Sequence, residues 1–238
     1  MRLQRKSSNV WLRSSTPITL APASVQEMAD FVGLAFDLAF KYRTPAIILA
    51  DGVIGQMMEK VVLPEQRPRL TNEEVMARCP WATFGKLKHR GPNIVTSLEL
   101  DPAEMEKRNI HLQQKYAEIE EKEVRYEEIH CDDAEYLIVA FGSCARIAQK
   151  AMEEARAEGI KVGLLRPITL WPFPSKAIAE RSRQVKGILT VELNAGQMVE
   201  DVRLAVECKV PVEYFGRLGG IVPDPDEVVT ALKEKIIK

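Results

Sequence analysis

From residue 136 onward the chain alternates short, unbroken apolar runs with segments of helical period, and that order admits few folds. YLIVAF (136–141) is one such run. It turns at Gly142-Ser143 into Ile147, Ala148, Ala151, Met152 and Ala155, a helical spacing stopped by Gly159. Further strand runs follow at 160–165, 188–191 and 212–215, with helical segments at 172–184 and 196–206 between them. A last helix opens at Asp224-Pro225 and carries Val228, Val229, Leu232 and Ile236 on one face. Strands that are apolar throughout are covered on both faces, and strands joined through helices run parallel. Residues 135–238 are therefore expected to form an open, mostly parallel α/β sheet with helices on both faces.

Upstream, Ser24 stands three residues before Glu27 in capping-box spacing, and Met28, Phe31, Val32, Ala35, Phe36, Leu38 and Ala39 continue with helical period. AIILA (46–50), bounded by Pro45 and Asp51-Gly52, reads as a strand buried on both faces. This is half of a βαβ unit, expected to be a partial α/β domain over 18–65. Residues 66–134 read as a long irregular connection, with Trp81 and Phe84 as isolated aromatics, followed by a charged linker helix opening at Asp101-Pro102. A strand covered by one helix leaves apolar surface and an open edge, so a homodimer or higher oligomer is expected through the N-terminal half. Residues 1–17, with Arg2, Arg5, Lys6 and Arg13 among serines and no acid, read as a tail, with a transit peptide as the alternative.

Composition removes several classes. Lys+Arg 33 against Asp+Glu 34 leaves a net charge of −1, which gives nucleic acid and anionic lipid no general purchase. No apolar run reaches the roughly 18 residues that a membrane span needs. Cys79, Cys131, Cys144 and Cys208 are scattered without a CxxC pair, which argues against zinc, iron–sulfur and disulfide frameworks and for reduced thiols in a cytoplasm.

Candidate site residues are few. Gly142-Ser143 at a strand-to-helix turn could cradle a phosphate, but Gly142, Ser143, Cys144 and Ala145 lack the second glycine of a dinucleotide fingerprint, so a structural turn is the better reading. Asp51 follows a strand, where ligands of parallel sheets gather, and is also a turn former with Gly52. Glu192 and Asn194 stand just past a strand, Asn194 as a helix cap. His89, His111 and His130 show no metal spacing and read as solvated. Gly216, Gly219 and Gly220 permit a tight turn. No residue of the chain is assigned a catalytic, cofactor-binding or metal-binding role.

The segments LLRPITLWPFP (164–174), VELNAGQMVEDV (191–202) and FGRLGGIVPDPDEV (215–228) occur in an order that resembles the transketolase-C-terminal-like domain of 2-oxoacid:ferredoxin oxidoreductases. LAPASVQEMADFVGLAFDLAFKYRTPAIILADG (20–52) resembles the end of that family's pyrimidine-binding domain, and VIGQMMEKVVLPE (53–65) the α subunit of the branched-chain, 2-oxoisovalerate type. The resemblance implies oxidative decarboxylation of a 2-oxoacid to an acyl-CoA, with thiamine diphosphate, Mg and iron–sulfur clusters. It also implies that these cofactors sit elsewhere in a complex with thiamine-diphosphate-binding β, γ and ferredoxin-like subunits. The segment that would carry the cofactor glutamate is expected to lie outside these residues. The expected role is that of a partial α subunit, structural and subunit-contacting, inactive alone. The alternatives are a free-standing nucleotide- or CoA-binding module, or an inactive truncated product.

Overall fold

In the computed structural model, residues 17–82, 85, 91, 94, 96 and 98–237 are described. The basic residues Arg2, Arg5, Lys6 and Arg13, together with Phe84 and His89, lie outside the described residues.

The C-terminal unit is a five-stranded sheet in the order β3-β5-β4-β7-β8. Its strands are β3 (Tyr126–Ile129), β4 (Tyr136–Ala140), β5 (Val162–Pro167), β7 (Ile188–Glu192) and β8 (Val212–Gly216). All neighbours are parallel except β3, which runs antiparallel to β5. Alternation along β4 divides the core. Ile138 and Ala140 pack beneath helices α5 (Gly142–Ala157) and α8 (Pro225–Leu232), with Ala148, Met152, Val228 and Leu232. Leu137 and Val139 pack on the other face against α6 (Ser175–Arg181) and α7 (Met198–Val206), with Ile178, Val199 and Val202. Burial on both faces is why β4, β5 and β7 show no polar alternation.

The N-terminal residues form a three-stranded sheet, β2-β1-β6, from β1 (Ile18–Leu20), β2 (Ala46–Ile48) and β6 (Thr169–Trp171). β1 is parallel to β2 and antiparallel to β6. The chain thus leaves β5 in one sheet and enters β6 in the other one residue later, and Ala21 N–H donates to the Ile168 carbonyl at 2.8 Å. Helix α1 (Val25–Tyr42) covers one face: Phe31 and Ala35 meet Leu20, and Leu38 and Tyr42 meet Ile18. Its N-cap is Ser24, whose side chain accepts from Glu27 N–H. Two short helices follow, α2 (Gly52–Gln56) and α3 (Asn72–Arg78).

The charged helix α4 (Pro102–Lys122) is capped by Asp101 and is more than a linker. Tyr116 and Ile119 are buried against Ile18, Leu38 and Tyr42, and the carboxylate of buried Glu123 accepts from Tyr42 Oη at 2.7 Å and Lys41 Nζ at 2.6 Å. Two expectations need correction. The run 46–50 is not buried on both faces: the strand ends at Ile48, and Ile47 and Leu49 are 43% and 47% exposed. The stretch 66–134 is not linker throughout, because Tyr126–Ile129 pairs as an edge strand with β5 and belongs to the C-terminal sheet.

Candidate functional site

In the order β3-β5-β4-β7-β8 the chain steps from β4 to one side and later returns to the other, so the crevice of this sheet lies past the carboxyl ends of β4 and β7. A cavity of about 180 Å³ lies there, lined by Phe141, Gly142, Cys144, Glu192 and Asn194, and closed from the N-terminal unit by Asp51. The sequence candidates Asp51, Gly142, Glu192 and Asn194 therefore meet in one place.

Asp51 does more than turn the chain. Its Oδ1 accepts the N–H groups of Val53 and Ile54, each at 3.0 Å, which caps α2. Its Oδ2 accepts the Ser143 N–H at 2.8 Å, at the N-terminus of α5. Burial pushes this carboxyl up, and the N–H groups of Ile54, Ser143 and Val53 outweigh burial and hold it below its ordinary value. The positive end of α5 is thus already served by an internal anion. A phosphate at Gly142-Ser143 would have to displace or sit against that carboxylate, which weighs against the nucleotide reading. Gly142 adopts φ +60, and a Cβ there would lie 2.9 Å from Asp51 Oδ2.

Glu192 is 1% exposed and plays the matching role on β7. Its Oε2 accepts from Gln197 and Met198 and its Oε1 from Val199, all at the start of α7. Asn194 shares the task through Gly196 and Gln197 N–H, so the cap assigned to Asn194 belongs to both residues. The carboxylate lies too far ahead of the helix for standard N-cap spacing. The signal that could have found it is an acid at the end of a fully buried strand, where only backbone N–H groups are at hand. Gly219 and Gly220 have φ +68 and +87 and make the expected turn. Gly216 serves close approach instead, since a Cβ there would come within 2.6 Å of the Glu192 carbonyl. His111 and His130 are exposed.

Sequence reasoning missed the ties between the two units. Arg166, on β5, makes a two-pronged pair with Glu27 of α1 at 2.7 and 2.8 Å and a second pair with Glu127 at 2.9 Å. Arg146, on the first turns of α5, pairs with Glu59. Single cationic residues on strands and helices carry no pattern that reveals such partners.

The crevice does not fit thiamine diphosphate. At about 180 Å³ it is smaller than the roughly 300–1,000 Å³ of ordinary cofactor pockets, and the ionisable side chains on its wall are Asp51, Cys144 and Glu192, with no cation to meet a diphosphate. No group of three or more His, Cys, Asp or Glu among the described residues is placed to hold a metal ion. No described helix is long and apolar enough to cross a membrane.

Two α/β units joined by a shared strand crossing, with a helix-capping crevice between them, define a two-unit α/β core. The family model described as "Pyruvate flavodoxin/ferredoxin oxidoreductase, thiamine diP-bdg" matches residues 6–129, and the one described as "Pyruvate:ferredoxin oxidoreductase core domain II" matches 134–228. The chain belongs to the pyruvate flavodoxin/ferredoxin oxidoreductase family. It is 47% identical over 217 residues to the ketoisovalerate oxidoreductase subunit VorB of Methanothermobacter thermautotrophicus, covering 91% of this chain and 60% of that protein. The 2-oxoglutarate synthase subunit KorA of Archaeoglobus fulgidus is 32% identical, over 87% of this chain and 58% of its own length. The fold is that of the 2-oxoglutarate:ferredoxin oxidoreductase from Magnetococcus marinus, at a TM-score of 0.70 and 22% identity, covering 92% of this chain and 42% of that one. The chain therefore spans about 60% of the length of these ketoisovalerate oxidoreductase relatives.

Proposed function

We propose that this chain acts as part of the α subunit of a 2-oxoacid:ferredoxin oxidoreductase of the branched-chain type. In that role it positions other subunits and contributes no catalytic group. The 47% identity to a ketoisovalerate oxidoreductase subunit supports the substrate class. The observation that carries the structural role is that the carboxylates of the crevice past β4 and β7 are consumed as helix caps, with Asp51 and Glu192 each accepting three backbone N–H groups. Thiamine diphosphate, Mg and the clusters are then held elsewhere in the assembly, and residues 18–65, 66–125 and 126–238 act as a partial pyrimidine-binding domain, a connection and a transketolase-C-terminal-like domain. Association through the N-terminal half is supported by Val32, Phe36 and Phe40, which form an i, i+4, i+8 stripe on α1 at 47%, 63% and 55% exposure beside the half-open β2.

Calorimetric titration of thiamine diphosphate with Mg into the purified chain tests the assignment: no saturable heat is expected, and a Mg-dependent micromolar affinity would defeat it. Light scattering is expected to give a multiple of 26.8 kDa. A clean monomer unchanged on dilution would remove the association.

A further inference from the structure

A second and larger concavity lies away from the crevice, and its walls carry more acidic than basic side chains. This groove, of about 950 Å³, runs between the C-terminal half of α4, the segment after β6, and helices α6 and α7. Glu120 and Glu121 of α4, Glu180 of α6 and Asp201 of α7 line it, against a single cation, Lys176. Tyr116, Tyr126, Trp171 and Phe173 supply aromatic surface, with Tyr116 and Trp171 packed edge to face at 5.7 Å.

The neighbouring acids show that the imbalance is local. On the same stretch of chain Glu118 pairs with Lys122, Glu123 with Lys41 and Arg125, and Glu128 with Arg181. Glu120, Glu121 and Glu180, all exposed and facing the groove, are in no ion pair among the described residues. Because the chain as a whole is at −1, this field does not come from a general excess of acid. Carboxylates around an aromatic floor favour one ligand chemistry: a guanidinium can pair with the acids in a two-pronged fork and lie on an aromatic face, which an ammonium does less well. Exposed Leu204, 71% accessible, and Tyr126, 43%, add apolar rim for a peptide backbone to lie against.

We infer that this groove docks an extended, arginine-bearing segment of another polypeptide chain. The inference stands apart from the proposed function, since it uses no residue of the crevice and no family property. Its charge complements a basic segment and repels nucleic acid.

The probe is a fluorescein-labelled hexa-arginine peptide, followed by anisotropy with the full chain at about 0.15 M salt, where surface charges beyond about 8 Å are screened. Saturable binding is expected, weakened at least tenfold in the E120Q/E121Q/E180Q variant and unchanged in E73Q/E74Q/E106Q, which removes the same charge elsewhere. Hexa-lysine is expected to bind several-fold more weakly. Circular dichroism reports whether each variant is folded, and a single E180Q variant, expected to weaken binding two- to threefold, covers the case in which the triple variant is not. Equal losses in both triple variants would show a general charge effect and overturn the inference. Absence of binding, or self-association lost in the groove variant without peptide binding, would overturn it as well.

Discussion

The Asp51 carboxylate accepts the Ser143 backbone N–H at 2.8 Å, so the residue that caps α2 also completes the N-terminus of the helix that follows β4. Removing it frees donors on two helices at once. Asp51→Ala is expected to cost about 2–3 kcal/mol in urea unfolding, more than the roughly 1 kcal/mol of a single cap. The folded Asp51 carboxyl lies below its ordinary value, so its contribution is complete above about pH 4 and is lost as the pH falls through the folded value. The stability gap between the native chain and Asp51→Asn should therefore be full at pH 7 and shrink toward pH 3. A gap independent of pH would show that the charge is not what matters.

Gly142 and Gly219 both sit at positive φ, +60 and +68, but only Gly142 has a neighbour within reach of an added methyl group. Gly219→Ala should lose only the roughly 1–2 kcal/mol of left-handed backbone strain. Gly142→Ala should lose more, because the methyl meets Asp51 Oδ2 at 2.9 Å. The two thermal melts compared decide the point, and equal shifts would mean that the Asp51 contact yields without cost.

Arg166 and Glu27 hold the two sheets together through a pair whose side chains are 8% and 27% exposed. Burial raises the Glu27 carboxyl, and Arg166 and the Ala23 N–H lower it further than burial lifts it. Arg166→Ala leaves Glu27 without its cation and is expected to cost about 2–4 kcal/mol, whereas Arg166→Met with Glu27→Gln should recover part of the loss. A double-mutant cycle with coupling below about 0.5 kcal/mol would show that the pair does not join the units.

The thiols should separate by reactivity. Burial pushes Cys131 up to about 11 and Cys144 up to about 12, while Cys208 is exposed. In the native chain a disulfide reagent near pH 8 should modify Cys208 quickly, and Cys131 and Cys144 only on unfolding. Mass spectrometry after short labelling, with Cys208→Ser as control, would expose early modification of Cys144 as a sign that the crevice opens.

The period of the chain determined much by itself. Unbroken apolar runs separated by helical spacing led to the parallel sheet, to helices on both of its faces and to α1 at Val25–Tyr42, because burial on two faces or one is written residue by residue in local order. The helix starts at Ser24, Asp101 and Asp224 were legible for the same reason, since a cap is satisfied within three residues. Only the tertiary structure decided that Asp51 meets Ser143, 92 positions away, that Arg166 meets Glu27, 139 positions away, and that Tyr126–Ile129 leaves the connection to join a sheet. Those contacts depend on which surfaces the packed layers bring together. A carboxylate or guanidinium reads alike in sequence whether it faces water or a helix end, because its partner is chosen by the fold.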